Sequence, residues 1–132
     1  MSYNLDDIDI RVFKLTSGEE VISLVSKDEN GYLSLESPLQ VHKRLGKGIG
    51  HAFAFSDWQP LGKTREPVIL NEIHVVSTAF AEDEMKERYI RMSLEIRQKY
   101  DRNQLEDPEE ELVSEEQIEE FVADILKKNW YH

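Results

Sequence analysis

Residues Ile10 to Val41 read IRVFKLTSGEEVISLVSKDENGYLSLESPLQV, and this stretch decides the fold. Its β-branched and aromatic residues are interrupted by two turn signals, Ser17-Gly18 and Asp28-Glu29-Asn30-Gly31. Glycine takes positive φ at no steric cost, and Asn-Gly pairs favour the tight turns that close β-hairpins. The stretch therefore predicts three antiparallel strands joined by two turns.

The apolar pattern within these strands indicates a bent sheet. Leu33 and Leu35 alternate with polar residues, so the two leucines are predicted to face a core. The first two predicted strands instead carry apolar residues on both faces near their middles. In a flat sheet with one solvent-exposed face, apolar residues are expected on the other face only. Apolar residues on both faces are expected when the sheet curls or is covered on its outer face.

The segment after Val41 predicts a loop, a further strand and a last pair of strands. Residues 42–50 hold three glycines and the bases Lys43, Arg44 and Lys47, which indicates either a phosphate-contacting loop or a solvated hairpin connection. Residues 50–58 alternate small residues with phenylalanines, which predicts a strand whose aromatic face is core. Trp58 fits a packing residue at a corner better than a base-stacking residue. Residues 68–78 complete the predicted sheet around Asn71.

Two segments resemble the motifs of Sm and Sm-like proteins. The first Sm motif is similar in spacing to the set Leu15, Gly18, Val21, Leu24-Val25, Asp28 and Leu33-x-Leu35. The second Sm motif is similar to Pro67–Val76. The layout is also similar to Sm-like proteins encoded by phages. The resemblance covers residues 10–80 and implies a small, strongly bent, five-stranded β-barrel.

The base-contacting positions depart from the family pattern. Asp28 holds the Asp position of the first motif, but Gly31 and Tyr32 stand where Met and Asn are expected. Leu70 and Asn71 replace the Arg-Gly or Lys-His pair of the second motif. The RNA contacts that the resemblance implies, with the basic residues added as phosphate partners, are Asp28, Asn30, Tyr32, Lys43, Arg44, Lys47 and Asn71.

The remaining segments are predicted to be an N-terminal arm and a helical extension. Residues 1–9 form a short helix or a disordered arm. Residues 81–132 contain a helix over 81–100, an acidic linker at about 101–113 and a second helix from Ser114 to about Asn129. Ser114 and Gln117 match a capping box at the start of that second helix. The barrel at 10–80 and the extension at 81–132 are thus separate regions of the fold.

Charge and composition narrow the classes of function. The net charge is −11, yet residues 10–80 contain equal numbers of acidic and basic residues. The excess negative charge lies between Asp101 and Asp124, a segment with eleven acidic residues and a single basic residue, Arg102. The chain has no cysteine and no apolar run long enough to cross a membrane, which favours a soluble, cytoplasmic protein. His42, His51 and His74 have no metal-ligand spacing, and no carboxylate or serine sits in a catalytic pattern, so no metal, cofactor or enzymatic activity is predicted.

Two hypotheses from different classes follow. In the Sm-like family the fourth strand of one subunit pairs with the fifth of the next, which here implies a homo-oligomeric ring through residues 50–58 and 73–78. Such a ring would bind single-stranded RNA weakly. The alternative is an oligomeric scaffold whose acidic C-terminal helices bind a protein partner, without RNA binding.

Overall fold

The computed structural model describes residues 4–45, 51–59, 66–102 and 114–129. The chain divides into two compact units, one formed by Ile10–Ala81 and the other by Met1–Asp9 together with Glu82–His132. The first unit is a mainly antiparallel sheet and the second is helical, which confirms the predicted fold class. The strands are β1 (Ile10–Leu15), β2 (Glu20–Glu29), β3 (Tyr32–Leu45), β4 (His51–Asp57), β5 (Val68–Asn71) and β6 (Val75–Phe80), and the helices are α1 (Asp83–Arg102) and α2 (Glu115–Asn129).

Both predicted turns are present in the structure. Gly18 has a φ of 91° between β1 and β2, while Asn30 and Gly31 have φ values of 56° and 80° between β2 and β3. Two consecutive residues with positive φ match the right-handed twist of a hairpin, and Asn-Gly supplies them at little cost. The three strands pair antiparallel, with Val12 opposite Ile22 and Asp28 opposite Leu33.

The strand β3 curls because it is long and irregular. It holds one extra residue between the pairs Ile22–Leu39 and Leu24–Glu36, and Ser37 within that bulge has a φ of 53°. A bulge of this kind bends its strand and increases the local twist. The bend separates an N-terminal half that pairs with β5 from a C-terminal half that pairs with β4.

The described residues form six strands, whereas the family resemblance implies a five-stranded barrel. The strands run in the order β4-β3-β2-β1-β6, and β5 also pairs with β3. At Leu39, β3 pairs with β2 through Ile22 and with β4 through Asp57. At Leu35, it pairs with β2 through Val25 and with β5 through Val68. β4 and β5 therefore lie along the same edge of β3, opposite β2. β4 matches the strand predicted at 50–58, and β5 and β6 match the pair of strands predicted around Asn71.

The sheet encloses a core that the leucine alternation predicted. Leu33 and Leu35 are 3% and 0% exposed, and Trp58 packs against their cluster, which confirms its packing role. All of β2 from Val21 to Val25 is buried, which confirms that this strand is covered on both faces. The buried members of the cluster are Phe13, Leu15, Val21, Val25, Leu33, Leu35 and Leu70.

Two details of the sheet differ from the sequence predictions. The chain continues as strand through Leu45, so residues 42–45 of the predicted basic loop pair with β4, and residues 46–50 lie outside the described part. The ladder to β4 supplies hydrogen-bond partners there, and this outweighs the turn preference of the glycines that follow. Phe53 and Phe55 are half-buried rather than part of the core, because β4 is an outermost strand.

The helical unit is held together by a buried lysine and by an apolar face. The Nζ of Lys86, in α1, donates to the carbonyl oxygens of Leu5 and Ile8 at 2.8 and 3.0 Å. The N-terminal residues around the 3-10 turn Leu5–Asp7 are thereby tied to α1. Tyr89 and Ile90 of α1 and Val122 of α2 are completely buried.

The predicted capping box begins α2 as expected. The Ser114 hydroxyl accepts from the Gln117 amide at 3.2 Å, and the Gln117 side chain accepts from the Ser114 amide at 3.0 Å. The predicted linker at 103–113 lies outside the described residues, and 101–102 belong to α1. Among the described residues, no helix is both long and apolar enough to cross a membrane.

Candidate functional site

Two turns of the sheet meet to form one candidate binding surface. Tyr32, which follows the Asn30-Gly31 turn, is the cross-strand partner of Asn71 at the end of β5. The Glu72 amide donates to the Gly31 carbonyl at 2.9 Å, which joins the two turns directly. We call the surface formed by Asp28, Asn30, Tyr32, Asn71 and Glu72 the loop surface.

The loop surface has a rigid base and an exposed aromatic ring. Asn71 caps the 3-10 turn Glu72–His74, since its side-chain oxygen accepts from the Ile73 amide at 3.1 Å. Leu33 and Leu70, the next pair along the ladder, are buried in the core. Tyr32 is 51% exposed. A half-exposed ring on a fixed backbone is available for stacking with a planar ligand.

Charged groups cluster at one side of the loop surface. The Nη1 atom of Arg11 donates to Asp28 Oδ2 at 3.0 Å, and this hydrogen bond lowers the pKa of Asp28 below its ordinary value. A side-chain hydrogen bond with Asp28 raises the pKa of Glu72 above its ordinary value. Two carboxyl groups therefore compete for one guanidinium, and the surface carries excess negative charge at neutral pH.

The residues predicted to bind RNA fall into two groups. Asp28, Asn30, Tyr32 and Asn71 come together on the loop surface, whereas Lys43 lies in the other half of β3 and forms an ion pair with Glu20 at 3.2 Å. Tyr32 and Lys43 are eleven positions apart on β3 and lie on opposite sides of its bulge at Ser37. The side chain of Arg44 and the whole of Lys47 lie outside the described part of the chain.

Sequence reasoning missed two members of this site, Arg11 and Glu72. Arg11 precedes Asp28 by seventeen residues and pairs with Ser23, not with Asp28, in the β1–β2 ladder, so only the bending of the sheet brings the two side chains together. Glu72 follows Asn71 directly, but its contact with Asp28 depends on the pairing of β5 with β3. No local pattern encodes either contact.

The two ends of the sheet form a second candidate surface. In the described strand order, β4 and β6 are outermost and each has a neighbouring strand on one side only. Val76 is 62% exposed and Phe80 is 73% exposed on β6, and Ile73 just before it is 75% exposed. Exposed strand edges with apolar side chains favour pairing with another chain.

A substitution of Glu72 tests the charge competition. At pH 7 we expect Glu72→Gln to increase the free energy of unfolding slightly, because it removes repulsion of Asp28. The raised pKa of Glu72 means that its folded-state interactions favour stability below the ordinary value of 4.5, and that this contribution is lost as the pH rises. Chemical denaturation at pH 7 and pH 4 should therefore show the gain at pH 7 and little at pH 4.

The lowered pKa of Asp28 has the opposite effect on how stability changes with pH. Its pairing with Arg11 contributes stability above the ordinary value of 3.8, and that contribution disappears as the pH falls through the lower folded-state pKa. Asp28→Asn serves as the matched control, since it should destabilise at pH 7 by less than about 1 kcal/mol, as for other solvent-exposed pairs. An equal effect of Glu72→Gln at both pH values would contradict the competition.

Comparison with known protein families gives a match. A family model described as Sm_like domain matches residues 12–90, which is more than half of the 132-residue chain and includes β2 to β6 and most of β1. No curated protein matches the chain.

Proposed function

The chain belongs to the Sm-like family, and on that premise we propose that it forms a homo-oligomeric ring that binds single-stranded RNA weakly. The observation that carries the RNA part is the loop surface, where two turns place Tyr32 beside Asn71. Base-aromatic stacking tolerates many sequences because every base has a π face. Asn30 and Asn71 add polar groups beside the ring.

The negative charge of the loop surface and the replacement of the family's usual base-contacting side chains both support weak binding with low selectivity. Asp28 is one ladder position from the Glu29–Tyr32 pair and Glu72 follows Asn71, the partner of Tyr32, so the two turns carry two carboxyl groups that oppose an RNA phosphate. The positions that usually read a base in the family hold Gly31, Tyr32, Leu70 and Asn71 instead. Stacking then supplies most of the affinity and discriminates little between bases.

The ring part of the proposal is supported by the sheet edges. The exposed side of β6 in one copy is available to pair with β4 of the next, and this pairing would satisfy two strand edges at once. A native mass spectrum, recorded at low salt with and without a short uridine-rich RNA, tests both parts. A whole-number multiple of the chain mass that also takes up RNA is the expected result. A monomer contradicts the ring, and a ring without RNA contradicts RNA binding.

Replacing Tyr32 by alanine tests the stacking contact. We expect Tyr32→Ala to weaken RNA binding by fivefold or more, since a stacked base contributes about 1–3 kcal/mol. The measurement is fluorescence anisotropy with labelled single-stranded RNA at constant, low salt. Ile69→Ala is the matched control, because Ile69 is 62% exposed on the neighbouring strand but has no ring to stack. Equal affinities for Tyr32→Ala and the wild type would place the RNA elsewhere.

The second candidate function is a protein-binding scaffold. The observation that favours it is the exposed acidic face of α2, where Glu116, Glu120 and Asp124 point to solvent. These acids are fixed on a helix and form a surface complementary to a basic protein partner.

A triple variant of α2 separates the two functions. We expect Glu116→Gln, Glu120→Gln and Asp124→Asn together to raise RNA affinity up to a few fold, because the variant removes three negative charges per subunit. Binding isotherms at two salt concentrations measure this effect, and higher salt should reduce it. Under the scaffold function the variant would instead lose a basic protein partner and leave RNA binding undetectable, as in the wild type. The capping pair Ser114–Gln117 is unchanged, so helix stability serves as the control.

A binding role in the cytoplasm, without catalysis, completes the proposal. It is supported by the absence of a catalytic pattern in the sequence and by the lack of cysteine.

A further inference from the structure

We propose that Arg11 is the positioning residue of the loop surface, and that a second copy docked along β6 tightens its hold on Asp28. The inference rests on the proposed ring, since it assigns to the subunit contact a direct effect on the binding loop. The structural basis is a chain of three side chains, Phe80, Arg11 and Asp28, that leads from the outermost strand to the loop surface.

The first contact in this chain joins β6 to β1. Arg11 and Phe80 are cross-strand partners, so their side chains lie on the same face of the sheet. The guanidinium carbon of Arg11 lies 5.1 Å from the centre of the Phe80 ring. A cation at this distance from an aromatic face is attracted by the ring quadrupole. Phe80 therefore restricts where the guanidinium can point.

The second contact joins β1 to the end of β2. The same guanidinium donates to Asp28 at 3.0 Å, and the Arg11 side chain is only 16% exposed, against 42% for Asp28. A largely covered donor with a planar, rigid arrangement of N–H groups holds a carboxylate in one orientation. Asp28 lies just before the Asn30-Gly31 turn, so Arg11 fixes the residue from which that turn departs.

The exposure of Phe80 makes the pair responsive to assembly. Phe80 is 73% exposed in the single chain, on β6, which among the described strands pairs with β1 alone. A second copy paired along β6 would exclude water from the ring and from the guanidinium beside it. Both the cation–π contact and the ion pair strengthen when water is excluded. Assembly and binding at the loop surface are then coupled, and each favours the other.

Substitution of Arg11 tests the positioning role with a readout that does not need RNA. The pKa of Asp28, measured by carbon-detected NMR titration of the full chain, should rise in Arg11→Met toward the ordinary value of 3.8. Arg11→Lys should give a smaller rise, because a lysine keeps the charge but lacks the planar donor group. Lys14→Met removes the same charge from an exposed position on the same strand and should leave the pKa of Asp28 unchanged.

RNA affinity provides a second readout for these variants. Arg11→Met should bind uridine-rich RNA on the order of fivefold more weakly than Lys14→Met, the loss expected when one hydrogen bond that orders a binding loop is removed. If wild-type protein binds no RNA, the proposed RNA function fails, but the titration still decides the role of Arg11. An Asp28 pKa that is the same in Arg11→Met and the wild type overturns the positioning role.

Variants of the β6 edge test the coupling. Val76→Asp and Val76→Lys both place a charge on the exposed edge and should prevent pairing with a second copy. If assembly tightens the Arg11–Asp28 pair, both variants raise the pKa of Asp28 despite their opposite charges. Shifts of opposite sign, or no shift, would overturn the coupling. A wild type that is monomeric by mass would refute the ring and the coupling together.

Discussion

Replacing Val76 by aspartate is expected to convert the assembled protein to monomers. Val76 is 62% exposed on the outermost strand β6, so its replacement leaves the core of the subunit unchanged. At a subunit contact, however, each copy would bury a carboxylate without a partner, which costs several kcal/mol for each contact. Because a ring contains several such contacts, the loss should be complete at micromolar concentration. Native mass spectrometry and analytical ultracentrifugation measure it.

The same substitution should strongly reduce RNA binding. In a ring, one RNA contacts several loop surfaces at once, and linked contacts raise the overall affinity by about 10²–10⁴ over a single contact. We therefore expect a monomeric Val76→Asp protein to bind RNA at least a hundredfold more weakly than the ring. Val76→Thr keeps the β-branched shape without a charge and should still assemble. A Val76→Asp protein that retains the wild-type mass would remove β6 from the interface.

Replacing Phe13 by alanine is expected to have the largest effect on stability. Phe13 is completely buried in the sheet core and pairs across the strands with Val21 and Thr78. Truncation of a buried phenylalanine costs about 3–5 kcal/mol, from lost burial and from the cavity that remains. Because a domain of this size is stable by about 5–15 kcal/mol, Phe13→Ala should be close to unfolding. Urea denaturation followed by circular dichroism measures the loss.

Two further variants make this result interpretable. Phe80→Ala removes the same side chain from a site that is 73% exposed, and it should cost no more than about 1 kcal/mol. Phe13→Leu keeps most of the apolar volume and should fold even if Phe13→Ala does not. Equal losses for Phe13→Ala and Phe80→Ala would mean that the sheet core does not dominate the stability of this unit.

Local patterns were sufficient for most of the secondary structure. Asn30-Gly31 predicted a turn that needs two positive φ values, and the structure has them. The capping box of Ser114 and Gln117 predicted the start of α2 at the correct residue. Such signals are reliable because the residues that form each contact are close together in the chain.

Predictions that depended on distant partners were less accurate. The glycines after Leu45 indicated a loop from residue 42, but the ladder to β4 extends β3 by four residues beyond Val41. The alternation at 51–57 predicted a core face for Phe53 and Phe55, yet their position on an outermost strand leaves them half-buried. In both cases the environment is set by the neighbouring strand, and the segment's own sequence does not identify that neighbour.

The candidate site shows the same division. Short-range spacing was sufficient to predict the family, the bent sheet, the two turns and the presence of Asp28, Asn30, Tyr32 and Asn71 at those turns. The three-dimensional structure was needed to show that the two turns adjoin and that Lys43 lies elsewhere on β3. It also decided that Arg11 and Glu72 contact Asp28. Strand register places residues far apart in sequence side by side, and register depends on the packing of the whole sheet.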